Sequence, residues 1–280
     1  MNVIKELGKR VLGDGIVLTI RKGHLKGKKY RLNKYSALAP LFGGWEKDSQ
    51  RIFEAFVRKG DVVYDLGANT GIHSMHFSQL VGANGLVYAF EPMPFNVAEI
   101  ELVIKLNQIE NIEIVPKAVS NTSGNCDFAL GNHTKAGSLE VGLESTQVVK
   151  VAVVTLDDLV AHGMRVPDFL KIDIEGAEGA ALEGMDRTAS LHHPSMYIEL
   201  HNPEQDVRVG RFLQRHGYDA YRLRTDQAVQ LSGQVNFLKK IPRLDVGYPE
   251  PDGIYSLLVA VHPQRRSHWQ EAIQILSTTT

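Results

Sequence analysis

Seven short apolar runs punctuate the chain from residue 61 onward: VVYDL (62–66), GLVYAF (85–90), IEIVPKAV (112–119), FLKIDI (169–174), MYIEL (196–200), YDAYRL (218–223) and YSLLVAV (255–261). Most are nearly continuous, and a strand that is apolar on both faces needs cover on both faces. Segments of helical spacing separate the runs, as the crossovers of parallel β-α-β units require. The sequence therefore predicts a doubly wound α/β sheet.

Residues 1–60 follow another pattern. IVLTIRKGHLKGKKYRLNKYS (16–36) alternates apolar and basic residues around glycines, as a hairpin with lysine-guarded edges does. In EKDSQRIFEAFVRKGD (46–61), Ile52, Phe53, Phe56 and Val57 fall at helical spacing, with Gly60 placed as a C-cap. The expected division is a β-rich cap over 1–50 and the α/β domain over 51–280. Within the latter, residues 120–155 carry glycines, asparagines and alternating valines, predicting a β-hairpin inserted before the fourth strand. Residues 225–252 form a long connection rich in proline and glycine, to be read either as a lid or as a surface loop.

Charge narrows the partners. With 31 basic and 32 acidic residues, no global field recruits nucleic acid or an anionic membrane. Cys126 is the only cysteine, so no internal disulfide or cysteine zinc cluster exists, and a reducing compartment is expected. No stretch reaches the ~20 apolar residues that span a bilayer, and MNVIKELGKRVLGDG lacks the apolar core of a signal peptide. A cytoplasmic protein is expected. The locally basic RKGHLKGKKYRLNK (21–34) is either a solvated hairpin edge or a contact for an anionic acceptor.

The first apolar run ends at Asp65 and passes into the turn DLGANTG (65–71). In a parallel sheet the ligand lies beyond the carboxyl ends of the strands. Gly67 and Gly71 allow close backbone approach, and Asn69 or Thr70 is placed to cap a helix whose inner face carries Ile72, Met75 and Leu80. A pyrophosphate turn offers N–H groups to an anion and has no use for a carboxylate. The G-x-G-x-x-G fingerprint is also absent. A cationic, hydroxyl-rich ligand suits the turn, and S-adenosylmethionine, with its sulfonium and ammonium, is one. Glu91 closes the second strand twenty residues after Gly71, where a carboxylate accepts from ribose hydroxyls, and Pro92 ends the strand.

DLGANTG, FEP (90–92), TLDDL (155–159) and KIDIEGAE (171–178), in that order, resemble the FkbM family of S-adenosylmethionine-dependent methyltransferases, within the class I Rossmann-like methyltransferase fold. The resemblance runs from about Trp45 to Leu223. It implies a mostly parallel seven-stranded sheet with its last strand antiparallel, and O-methylation of a hydroxyl on a small-molecule natural product or saccharide. By position, Asp65, Gly67, Ala68, Asn69 and Gly71 would surround the methionine and ribose end of the cofactor. Glu91, with Pro92, would hold the ribose, and Ala118 and Val119 would flank the adenine. His73 stands where the resemblance leads one to expect an aromatic residue.

Methyl transfer needs an aligned acceptor and, for an alcohol, a general base or a metal ion. Alternation in KIDIEG puts Lys171, Asp173 and Glu175 on one face of the fourth strand. Asp173 is the first choice for an active-site acid beside the cofactor. Lys171 either serves the chemistry or neutralises a neighbouring acid, and Glu175 and Glu178 can instead favour the next helix's N-terminus by under about 1 kcal/mol each. In YIELHN, Glu199 and His201 share a face. They can act as base and orienter, or Asp173 and Glu199 can hold Mg²⁺, a reading by analogy with some O-methyltransferases. Trp45 and Glu46 either line an acceptor pocket or pack the cap, His73 is placed to touch ligand, and LHHP (191–194) reads as a loop. A nicotinamide-dependent oxidoreductase and a non-catalytic binding protein of the same fold stay open as alternatives.

Overall fold

The structure is a computed structural model describing residues 15–32, 39–130, 137–138, 147–201, 203–223, 238–245 and 257–278. The strands are β1 (Ile16–Thr19), β2 (Lys29–Leu32), β3 (Val62–Leu66), β4 (Leu86–Phe90), β5 (Ile112–Val115), β6 (Ala118–Val119), β7 (Gly124–Leu130), β8 (Gly137–Ser138), β9 (Gln147–Val154), β10 (Phe169–Ile172), β11 (Ser195–Glu199), β12 (Asp219–Leu223), β13 (Leu238–Lys240) and β14 (Leu257–Val261). The helices are α1 (Lys47–Phe56), α2 (Ile72–Val81), α3 (Pro94–Asn107), α4 (Leu156–Ala161), α5 (Glu178–Glu183), α6 (Asp186–His192), α7 (Pro203–Arg215) and α8 (Arg266–Thr278).

The main sheet runs β13-β12-β14-β11-β10-β3-β4-β5. Five strands, β5, β4, β3, β10 and β11, pair in parallel, and β14 lies antiparallel between β11 and β12. All seven apolar runs supply strands to it. β13, from the long connection, adds an eighth strand on the edge. The rest of that connection, 225–237 and 246–252, lies outside the described residues.

Alternation divides the core between two faces. Tyr64, Leu66, Leu170, Ile172, Met196 and Ile198 point to the side covered by α4 to α7, where they meet Leu156, Leu182 and Phe212. Val63, Phe169, Tyr197 and Val259 point to the other, against Phe53 and Phe56 of α1, Phe77 of α2 and Trp269 of α8. Each of these large side chains contributes ~1.5–3 kcal/mol by leaving water.

Several expectations are corrected. The third run divides at Pro116, which has no N–H to continue a ladder: β5 stays in the main sheet, while Ala118 and Val119 form β6 and pair with Val153 and Val154 of β9. The insertion is a four-stranded sheet, β6-β9-β7-β8, in which the expected hairpin is β7 and β9. No side chain caps α2: its N-cap is Gly71 itself, at φ 81, and neither Asn69 nor Thr70 serves. Gly60 is likewise displaced, since α1 ends at Phe56 with Val57 as its C-cap.

Ile72 and Met75 of α2 do not face the sheet. They pack against Ile20, Leu25, Tyr30 and Leu32 of the β1–β2 hairpin, so α2 is covered on both sides. Two polar clamps fix the hairpin to α3. Arg31 donates from Nε and Nη2 to the two carboxylate oxygens of Glu99 (3.0 and 2.6 Å), and the Asn107 side chain accepts from Lys29 N–H (2.7 Å) while donating to Lys29 C=O (2.9 Å).

Candidate active site

The carboxyl ends of β3, β4, β10 and β11 open at one edge of the sheet, and register decides what meets there. Asp65 on β3 pairs with Lys171 on β10, which pairs with Tyr197 on β11, so the three side chains share a face. The Lys171 ammonium is 1% exposed and has three partners: Gly67 C=O (2.9 Å), Asp173 Oδ2 (3.1 Å) and Asp65 Oδ1 (3.3 Å). Burial alone depresses a lysine, but Asp173 and Asp65 outweigh it and hold Lys171 above its ordinary value. Asp65 is fully buried, and its Oδ2 accepts from Ser74 Oγ–H (2.6 Å).

Gly67 shows how closely the turns approach. It sits at φ 77, and a Cβ there would lie 1.9 Å from the Asp173 carbonyl oxygen. The β3 turn also rests on β4, since the N–H groups of Gly67 and Ala68 both donate to Phe90 C=O (3.1 and 2.9 Å). Glu91 then binds the turn through its side chain. Its Oε2 accepts from Asn69 N–H (2.9 Å) and its Oε1 from Met93 N–H (2.9 Å). Burial pushes the Glu91 carboxyl up to about 7, against the pull of those N–H groups.

Beyond β10 and β11 lies an acidic group centred on His201. Its Nδ1 is 2.8 Å from Glu178 Oε1, and its Nε2 lies 3.5 Å from Asp173 and 3.7 Å from Glu175. Burial opposes the imidazolium, but the Glu178 hydrogen bond and the charges of Glu178, Glu175 and Asp173 prevail and hold it up at about 9. The ring is a cation at neutral pH. Asp173, despite burial, is held low by Lys171, whereas burial and the Asp173 charge raise Glu199. One carboxylate is thus kept ionised and its neighbour made basic.

A proton titration checks this arrangement. The His201 ring, followed by NMR, is expected to titrate near 9, and Glu178→Gln to bring it down toward 6.5. A raised histidine value means its stabilisation is complete below about 6.5 and is lost as pH climbs through about 9. A titration near 6.5 in the parent chain would refute the cationic ring.

The family model for the methyltransferase FkbM domain matches residues 65–220. The chain belongs to that family. The hexuronic acid methyltransferase AglP of Haloferax volcanii is 28% identical over 148 residues, covering 50% of this chain and 56% of that protein. The 31-O-demethyl-FK506 methyltransferase FkbM of Streptomyces tacrolimicus is 25% identical over 194 residues, 58% of this chain and 74% of that one. A solved methyltransferase FkbM from Methylobacillus flagellatus KT superposes with a TM-score of 0.46 at 18% identity, over 72% of this chain and 43% of that chain. The chain spans little more than half the length of AglP. Family membership sets aside the oxidoreductase alternative.

Within this FkbM-family chain, the residues singled out from sequence divide by access. Gly67, Asn69, Asp173, Glu199 and His201 reach solvent at the sheet edge, whereas Glu91, Ala68 and Gly71 are buried there; Pro92 follows Glu91, and Ala118 and Val119 lie buried in β6. Lys171 is buried, hydrogen-bonded to Gly67 C=O and ion-paired with Asp65 and Asp173. Asp65 is likewise held inside, by Ser74 and Lys171, and the carboxylate that meets solvent is Asp173, with 27% of its side chain exposed. For a metal, the ligand atoms that converge within 4.8 Å are those of Asp173, Glu175 and His201, a group without Glu199.

Sequence reasoning undervalued Glu178, which is fully buried and accepts from both Gly176 N–H (3.0 Å) and His201. Its signal was a second acid three residues after Glu175, at the start of a helix. Glu46, in the left-handed region at φ 39, reaches His73 Nε2 at 3.0 Å, and Trp45 packs on the His73 ring at 4.3 Å. LHHP is not wholly loop: Leu191 and His192 end α6, and His193 turns at φ 52 and stacks on His262 at 3.8 Å. Among the described residues no helix is long and apolar enough to cross a membrane.

Proposed function

We propose that this FkbM-family chain is an S-adenosylmethionine-dependent O-methyltransferase acting on a hydroxyl of a small molecule or saccharide. The observation that carries the proposal is the meeting, at one sheet edge, of a glycine turn bound to Glu91 with the unequal acids Asp173 and Glu199. Bound S-adenosylmethionine supplies a methyl group on a sulfonium cation. The donor set suits that ligand: Glu91 would hold the ribose hydroxyls with its remaining lone pairs, and Asp173, partly exposed, would supply a carboxylate for the cationic end. The two relatives, a hexuronic acid methyltransferase and a 31-O-demethyl-FK506 methyltransferase, support a saccharide or small-molecule acceptor, and the second an oxygen as the methylated atom.

Glu199 is the residue we assign as general base. A raised carboxylate value brings it nearer neutrality, where a base is most effective. His201, protonated, cannot take a proton, and it orients Asp173 instead. The base assigned here needs no Mg²⁺, and adding Mg²⁺ is expected to leave turnover unchanged.

Calorimetric titration with S-adenosylhomocysteine at pH 6 and pH 8, with NADH in parallel, tests the assignment. The ribose contact needs ionised Glu91, so affinity is expected to fall about tenfold from pH 8 to pH 6, following a carboxyl that titrates near 7. The sign for folding is the reverse: a raised carboxyl value favours the protonated native state, so this contribution weakens as pH rises from about 4.5 to about 7. Glu91→Gln is expected to weaken binding and flatten the pH dependence. Binding of NADH with none of S-adenosylhomocysteine would overturn the cofactor assignment.

A further inference from the structure

Two groups of three potential metal ligands occur among the described residues, and only one belongs to the edge of the sheet just described. The other is made by three separate elements. His24 comes from the turn between β1 and β2, Glu54 from α1, and His76 from α2, and their ligand atoms all lie within 4.8 Å of one another. His24 Nδ1 is in direct contact with the Glu54 carboxylate, and the His24 and His76 rings stack with centroids 5.3 Å apart.

His76 is the decisive member. It is 3% exposed, yet its Nε2 is buried with no hydrogen-bond partner. An orphaned buried polar atom of this kind costs ~1–3 kcal/mol. Burial keeps the ring neutral, the form that offers a lone pair. A second imidazole and a carboxylate gather around this buried ring, their ligand atoms within 4.8 Å of one of its own. His201 differs, because its ring is hydrogen-bonded and charged.

We propose that His24, Glu54 and His76 form a binding site for a zinc-class divalent ion that fastens the N-terminal hairpin to α1 and α2. Two imidazoles and one carboxylate suit Zn²⁺ and its neighbours Co²⁺ and Ni²⁺, and do not suit Mg²⁺ or Ca²⁺, which take all-oxygen shells. Tetrahedral zinc at its usual bond lengths brings donors to roughly 3.4 Å from one another. The half-exposed side chains of His24 and Glu54, at 36% and 37%, have the freedom to close that distance around the fixed His76. Their exposure also gives the ion a path in and a water as fourth ligand.

The test uses the full chain after chelator treatment and dialysis, titrated with ZnCl₂ by calorimetry and with CoCl₂ by visible absorption. One equivalent of zinc and the intense visible bands of four-coordinate cobalt are expected, with no comparable response to MgCl₂. His24→Ala and Glu54→Gln should each weaken zinc binding at least tenfold, and zinc should raise the unfolding midpoint of the parent but not of His24→Ala. His24 lies in an exposed turn, and retained S-adenosylhomocysteine binding verifies that the variant is folded. His201→Ala should leave zinc binding unchanged. Absence of zinc binding, or binding lost in His201→Ala and kept in His24→Ala, would overturn the site.

Discussion

Lys171→Met is expected to destabilise the fold by ~3–5 kcal/mol, because it leaves the fully buried Asp65 carboxylate without its counter-charge. For a chain of this size that corresponds to a fall in unfolding midpoint of roughly 6–20 °C. Three contacts fail together, since the same ammonium also binds Gly67 C=O and Asp173. The cause can be separated from simple loss of packing by a double variant. Asp65→Asn with Lys171→Met removes both charges, and it is expected to be more stable than Lys171→Met alone, because the uncompensated ion is gone. A double variant destabilised by the full sum of the two single effects would show that the charge pair is not the reason.

Glu199→Gln is expected to lower kcat by roughly 10²–10⁴, the range that a positioned general base supplies. S-adenosylhomocysteine affinity should change little, because the cofactor contacts are assigned to Glu91 and the glycine turn. The pH profile gives a second readout. Activity in the parent chain should rise with the ionisation of a carboxyl above its ordinary range, and that limb should vanish in the variant. Asp173→Asn should behave differently: it removes the charge that helps to raise Glu199 and loosens both Lys171 and His201. A Glu199→Gln enzyme turning over at the parent rate would withdraw the assignment.

The sheet was legible because its strands are buried on both faces, and each apolar run reports that condition locally. The run at 112–119 misled because Val119 is as apolar as Val115; only Pro116 marks the departure into a second sheet. Acids at strand ends were legible for the same reason as the strands, as polar interruptions of apolar runs. Their roles were not. Whether Lys171 faces substrate or closes an internal ion pair depends on its register with Asp65, a pairing across more than a hundred residues of chain. Glu178 looked like a helix-terminal charge because nothing nearby in sequence discloses that His201 folds back onto it. The same holds for His76, whose neighbours come from elements that precede it by more than twenty residues.

The position of β14 bears on the order in which the chain can be assembled. Among the described residues, β12 and the edge strand β13 join the rest of the sheet only through β14, which lies between β12 and β11. As the polypeptide leaves the ribosome, residues 219–223 therefore emerge with only β13 to pair with, and β11 keeps a bare edge until residues 257–261 are made. The turn at Gly67, with β4 and β10 on either side, needs nothing from that later stretch. The nascent chain can thus complete the cofactor half of the sheet first, and it must keep a hydrophobic strand and an open edge apart until the central piece arrives.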